Sequence, residues 1–211
     1  MTIATVPDAV KVHLSKDEQM AILVAGVEPY ALEVHDHICL RLCKSIMSQQ
    51  LSTKVASVIY GRFLALFGDV LPEPGDIAAM PYSELRSIGL SHAKATYVHN
   101  VAQYFLEHGL TDAQLMVMND DEVRHTLLPI KGVGRWTIEM LLMFALGRED
   151  VFAPDDLGIQ QAMVYLYGLD STNKKELAKQ MNECAAQWSP YRTWACFYLW
   201  RYKDSGIVAA K

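Results

Sequence analysis

A chain of 211 residues, 51% of them apolar, can bury a full core in one or two domains, which excludes a disordered chain. A formal net charge of −5 excludes a nucleic-acid binder that relies on a broad basic surface, though not one that grips phosphate through backbone amides at one spot. No apolar run reaches the ~18 residues of a membrane span, and Met1–Lys16 has neither the basic start nor the apolar stretch of a secretory signal. The expectation is a soluble, intracellular protein (bacterial cytoplasm or eukaryotic nucleus) with no membrane partner.

Residues 1 to about 14 carry Pro7 and no clear period, and read as a surface arm. Ser15-Lys16-Asp17-Glu18 fits a helix start, with Ser15 as N-cap and Glu18 completing a capping box, and the helix then runs to Gly26. Glu33–Lys44 reads as a second helix. The four-residue spacing of His35, Cys39 and Cys43 puts them on one face, where a metal is conceivable and packed core cysteines are the simpler reading. Cys39, Cys43, Cys184 and Cys196 contain no Cys-x-x-Cys pair, which argues against a zinc ribbon. Ser48-Gln49-Gln50 then interrupts the apolar pattern. Buried, it is costly unless hydrogen-bonded, so it is either a satisfied turn or a surface that meets a polar partner. Helical spacing resumes over Thr53–Phe67, and Gly68 suits its C-terminal cap.

Beyond the loop Leu71–Gly75, Asp76 is placed to cap Ile77–Met80 and Ser83 to cap a helix from Glu84. His92–His108 carries helical apolar spacing, and Thr111–Met118 and Asp120–Leu127 are two shorter helices. Gly132-Val133-Gly134 next separates two apolar, helix-favouring runs, and the second run offers its first amide N–H groups as an anion site. Alone, a Gly-x-Gly merely turns two packed helices. Pro154-Asp155-Asp156 is an acidic step into the helix Leu157–Tyr167. Asp155 is placed as N-cap, and Asp156 sits in the first turn, where the positive helix end holds it ionised. Both could be capping acids only. Thr172–Gln187 is a further helix, and the last, ending near Tyr202, concentrates Trp194, Phe197, Tyr198, Trp200 and Tyr202, with core packing as the default. With no β-alternation and mostly short connections, the fold class is all-α.

From Cys39 to Lys203 the chain resembles the DNA-3-methyladenine glycosylase II family of the helix–hairpin–helix base-excision DNA glycosylase superfamily. The motifs are Ile46–Ser52, Leu128–Thr137, Val151–Gln160 and Trp188–Trp200. The resemblance implies a two-lobed helical fold without the N-terminal β-domain of larger bacterial relatives. Residues 1–36 would pack with a C-terminal lobe of 148–211, beside a helical domain of 37–147. It further implies a monomer acting on damaged double-stranded DNA. Gly132, Val133, Gly134 and Arg135 would form the DNA-binding hairpin, with a monovalent Na+ or K+ on the carbonyls of Leu128, Ile130 and Val133. No cofactor is required, and the four clustered cysteines that hold an iron–sulfur cluster in endonuclease III are missing.

By the same resemblance Gln50, next to Gln49, takes the position of the residue pushed into the duplex, where some relatives carry an apolar side chain. The catalytic acid falls one residue before Leu157-Gly158-Ile159-Gln160, which selects Asp156. Bifunctional members place a Schiff-base lysine at position 136. Here it is Trp136, so water should be the nucleophile and the strand should stay intact. Trp136 and Trp200 become walls of the base pocket. Met140 and Leu157 stand where relatives carry tyrosines, making the pocket less aromatic. Two indole faces favour a cationic, alkylated purine by ~0.5–2 kcal/mol over a neutral ring. Rival readings are a glycosylase for ethenoadenine, hypoxanthine or oxidised bases, and a module that binds distorted DNA without catalysis.

Overall fold

The computed structural model describes residues 2–3 and 5–205, except for the side chains of Thr2, Ile3 and Thr53. Up to Val34 the chain forms β1 (Thr2–Ile3), α1 (Asp8–Leu14), α2 (Glu18–Gly26) and β2 (Leu32–Glu33). It continues through α3 (Ile38–Ser48), α4 (Thr53–Ala65), α5 (Pro74–Ala79), α6 (Tyr82–Ser87) and α7 (His92–Glu107). Then come α8 (Asp112–Val117), α9 (Asp120–Leu127) and α10 (Arg135–Phe144), and finally α11 (Leu157–Tyr167), α12 (Lys174–Ala186) and α13 (Arg192–Asp204). Two compact units result. One combines the residues up to Val34 with those from Leu142 onward, and the other is His35–Leu141, so the division falls inside α10.

In the first unit, the two-residue strands pair antiparallel, Ile3 opposite Leu32, a small addition to an otherwise helical chain. Residues 8–14 are a helix and not a surface arm, because Val10 and Leu14, four apart, share a buried face. A seven-residue helix is too short for a period to be recognised. α2 is capped by Asp17 instead of Ser15: its Oδ1 accepts the N–H groups of Gln19 at 2.9 Å and Met20 at 3.2 Å. Oδ2 of the same carboxylate accepts the Tyr167 hydroxyl at 2.8 Å, Gln187 Nε2 at 2.9 Å and the Trp188 indole at 2.9 Å. Asp17 thus ties α2 to the end of α11 and the α12–α13 junction. Burial, reinforced by Asp17, pushes the Tyr167 phenol well above its ordinary value. Through α13 the run Thr193–Leu199 is wholly buried, so most of the aromatic cluster is core.

In the second unit α3 packs on α7, with Ile38, Leu42 and Ile46 among the buried residues of one and Val98, Val101 and Phe105 of the other. Cys39 and Cys43 are buried here, and the Cys43 Sγ lies 3.8 Å from the Val98 carbonyl. The neighbouring Cys39, together with burial, pushes the Cys43 thiol well up, so it packs as a neutral side chain. Among the described residues no three His, Cys, Asp or Glu side chains gather into a metal set. α3 starts five residues later than expected, since its cap is remote: the Asp112 carboxylate accepts the N–H of His37 at 2.6 Å and of Ile38 at 3.0 Å. In α5 the cap is Glu73, and Asp76 is its capping-box partner, accepting the Glu73 N–H at 2.9 Å. α6 begins at Tyr82 after Pro81, without a serine cap.

Candidate active site

The hairpin between α9 and α10 lies in the second unit. Gly132 has φ +105°, and a Cβ there would stand 2.2 Å from Cγ of Tyr97, so both backbone conformation and the ring packed against it require glycine. Asn100 Nδ2, also on α7, donates to the Lys131 carbonyl at 3.1 Å and fixes the same turn. Neither requirement operates at Gly134, where an added Cβ would meet open space. What glycine supplies at that position is bare backbone at the mouth of α10, whose first turn carries no acid. The Val133 side chain is buried, leaving only its main chain to serve the turn. Arg135 is exposed and donates through Nε to Glu139 Oε1 at 2.8 Å.

The polar segment 48–52 is a turn that half-buries Gln49 and exposes Gln50. Gln49 is half-buried and donates to Thr137 Oγ1 on α10 at 3.2 Å. Gln50 is exposed with φ +58°, a left-handed conformation that a residue with a Cβ adopts at some cost. The Lys94 ammonium, on α7, donates to the carbonyls of Met47 at 2.9 Å and Gln49 at 2.6 Å, closing the carboxyl end of α3. Burial draws that ammonium below its ordinary value.

The acidic step lies in the first unit. Here the capping assignment is corrected: Asp156 itself is the N-cap of α11, and Asp155 is an exposed residue ahead of it. The Asp156 Oδ1 accepts the Ile159 N–H at 2.9 Å and the Trp200 indole N–H at 2.8 Å. An extended φ/ψ of −75°/122° at Asp156 is what a cap needs and what the first turn of a helix does not have. Gln160 Nε2 donates to the Pro154 carbonyl at 2.7 Å, pinning the chain that enters the cap. Trp200 is half-buried, with its ring 5.4 Å from Phe144, which stacks on Phe197 at 5.1 Å. Leu157 is 66% exposed.

Of the anticipated residues, Asp156, Trp200 and Leu157 thus belong to one unit, and Trp136, Met140, the hairpin and both glutamines to the other. Trp136 and Met140 are half-buried on α10. Sequence reasoning missed Gly158, where a Cβ would stand 3.1 Å from Asp156 Oδ1 and 3.2 Å from the Trp200 ring, so that even a methyl group would press on both the acid and the indole. It also missed Phe144, Lys94, Tyr97 and Asn100. No spacing rule flags them, because each acts on a residue more than thirty positions away.

The geometry meets its counterparts among known proteins. Residues 43–187 match the model of the HhH-GPD superfamily base excision DNA repair proteins. The chain is 33% identical over 197 residues to the putative DNA-3-methyladenine glycosylase YfjP of Bacillus subtilis, covering 90% of this chain and 67% of that one. To DNA-3-methyladenine glycosylase 1 of Schizosaccharomyces pombe it is 35% identical over 163 residues, 76% of this chain and 70% of the relative. The structure superposes on the S. pombe 3-methyladenine DNA glycosylase Mag1 bound to abasic DNA with a TM-score of 0.83 and 30% identity, covering 93% and 97% of the two chains. The chain therefore belongs to the helix–hairpin–helix superfamily of base excision DNA repair proteins.

Proposed function

We propose that the protein is a monofunctional DNA glycosylase that excises alkylated purines, of the 3-methyladenine and 7-methylguanine type, in the first step of base excision repair. The observation that carries this reading is the cap of α11. A carboxylate is held between a helix N-terminus and an indole N–H, in a chain with tryptophan at the position where lyases of the superfamily carry lysine. Two N–H donors fix the Asp156 carboxyl group at the positive end of α11. As the glycosidic bond breaks, its electrons leave with the base, and the sugar develops positive charge that Asp156 stabilises while orienting the water that bonds to C1′ and passes its surplus proton to the carboxylate and on to solvent. A cationic alkylpurine departs neutral, so no general acid is needed.

The remaining parts follow from the two loops of the second unit. Backbone N–H groups at Gly132–Arg135 would hold a phosphate, with the missing Cβ of Gly134 allowing close approach. Gln50, exposed at the tip of its turn, would enter the duplex, with Gln49 supporting it. Trp136, Trp200, Met140 and Leu157 would receive the flipped base. A monovalent cation would suit the oxygen-only set of the Leu128, Ile130 and Val133 carbonyls. Ile130 accepts the Val133 N–H at 3.0 Å and keeps a second lone pair. Such an ion would reinforce the positive field at the phosphate. The enzyme would work as a monomer and need no redox centre.

The test is a single-turnover assay on methylated duplex DNA that scores free bases and strand breaks separately. Release of 3-methyladenine and 7-methylguanine with intact strands is the expected result. Strand cleavage accompanying release would reject the monofunctional reading. Binding without release from alkylated, deaminated or oxidised substrates would make the chain a binding module.

A further inference from the structure

We infer that Lys94 is a positioning residue for the turn that carries Gln50, and that α7 fixes this turn and the hairpin in one frame. The inference rests on the proposed roles of Gln50 and of the hairpin. Three residues on one side of α7, at i, i+3 and i+6, reach two loops that are far apart in sequence. Lys94 donates to the carbonyls of Met47 and Gln49, at 2.9 and 2.6 Å. Tyr97 packs its ring against Gly132 so closely that no Cβ fits there, and Asn100 donates to the Lys131 carbonyl at 3.1 Å.

Gln50 has φ +58°, an arrangement that persists only where its surroundings hold it. Its neighbours supply that hold. The Gln49 carbonyl immediately before it is bonded to the ammonium, while the Gln49 side chain is anchored to Thr137 on α10. A cation also suits the carboxyl end of α3, where the helix dipole is negative. With both carbonyls bound, Lys94 spends its charge inside the protein. A positioning role and a direct phosphate contact therefore predict different salt behaviour.

Five proteins distinguish the cases: wild type, Lys94→Met, Lys94→Arg, Gln50→Ala and the Lys94→Met/Gln50→Ala double variant. Three quantities are measured: amide hydrogen exchange at Gln49 and Leu51, whose N–H groups are bonded within the turn; extrusion of the lesion, followed by 2-aminopurine fluorescence beside it; and binding to undamaged duplex against salt. Lys94→Met should exchange at least tenfold faster at these amides and slow extrusion about tenfold. Lys94→Arg should recover most of both losses. The double variant should be no slower than the slower single one, and the salt slope should match wild type. Wild-type exchange in Lys94→Met overturns the proposal, as does a salt slope lowered by about one with unchanged extrusion, the mark of a phosphate contact. Gln50→Ala at the wild-type extrusion rate would instead remove the role of Gln50, leaving the exchange result to decide whether Lys94 holds the turn.

Discussion

Asp17 and Asp156 are built to the same local plan in different surroundings. Each is a helix N-cap, each accepts a backbone N–H from the first turn, and each accepts a tryptophan indole N–H from the last part of the chain. Asp17 is 7% exposed and has donors on both oxygens, five in all. Asp156 is half-exposed, and within its unit the indole and the cap N–H converge on one oxygen. The difference is one of access. An enclosed carboxylate surrounded by donors is a knot, whereas a half-exposed one at a helix N-terminus can meet a developing positive charge.

The largest effect that separates them is on turnover. Asp156→Asn should slow excision by roughly 10²–10⁴-fold, the scale of losing one electrostatic stabiliser of a transition state. Its thermal stability should stay within about 1 kcal/mol of wild type, because asparagine caps as well as aspartate and its carbonyl can still accept the indole. An equal loss of stability in this variant would make Asp156 a second Asp17. The reverse holds for Asp17→Asn, which leaves an amide facing donors that one oxygen cannot satisfy. The expected cost is about 3 kcal/mol in urea unfolding, with the excision rate per folded molecule unchanged. A stable Asp17→Asn protein would show that the knot is dispensable.

The sequence singled out Asp156 but not Asp17, and it misread the N-cap of both helices. Helix starts were legible at α4, α7 and α9, whose caps Ser52, Ser91 and Asn119 directly precede an apolar period, whereas at α2, α5 and α11 neighbouring polar residues compete and the cap was misplaced by one to three residues. They were not legible where the cap comes from elsewhere. The Asp112 that closes α3 is 74 residues from Ile38, and Asp17 draws three of its donors from residues 167–188. The site was legible to the same extent. Gly132, Gly134 and Asp156 stand out by type and neighbours, while Lys94, Phe144 and Gly158 matter only through what folding brings beside them.

Gly158 offers a smaller and more delicate test. Gly158 is the second residue of α11, where the helix-interior preference for alanine over glycine of about 1 kcal/mol is not fully felt, so Gly158→Ala is expected to stay within about 1 kcal/mol of wild type. Its Cβ, however, would crowd both Asp156 Oδ1 and the Trp200 ring. Moving the indole by a few tenths of an ångström should slow single-turnover excision about tenfold, with little change in affinity for undamaged DNA. Wild-type turnover in Gly158→Ala would mean that contact between the indole and the acid is incidental to catalysis.

A third carboxylate, Asp150, tests whether charge or shape distinguishes these networks, and it should give the smallest effect. Burial pushes its carboxyl up, but paired bonds from Arg192 at 2.7 and 2.9 Å, the Ser189 hydroxyl at 2.8 Å and the Arg192 amide outweigh this and hold it below the usual carboxylate range. A depressed folded-state pKa contributes stability that is fully present above the unfolded value of about 3.9 and is lost as pH falls through the folded one. Because the pair is about one-third exposed, its contribution at pH 7 should not exceed about 1 kcal/mol. Asp150→Asn should therefore be slightly less stable than wild type at neutral pH. The gap in urea midpoint should narrow only below about pH 4 and vanish below the folded pKa. A gap independent of pH would mean that Asp150 holds the start of α13 through hydrogen-bond geometry alone. It would then belong with Asp17, as an acceptor whose charge is incidental.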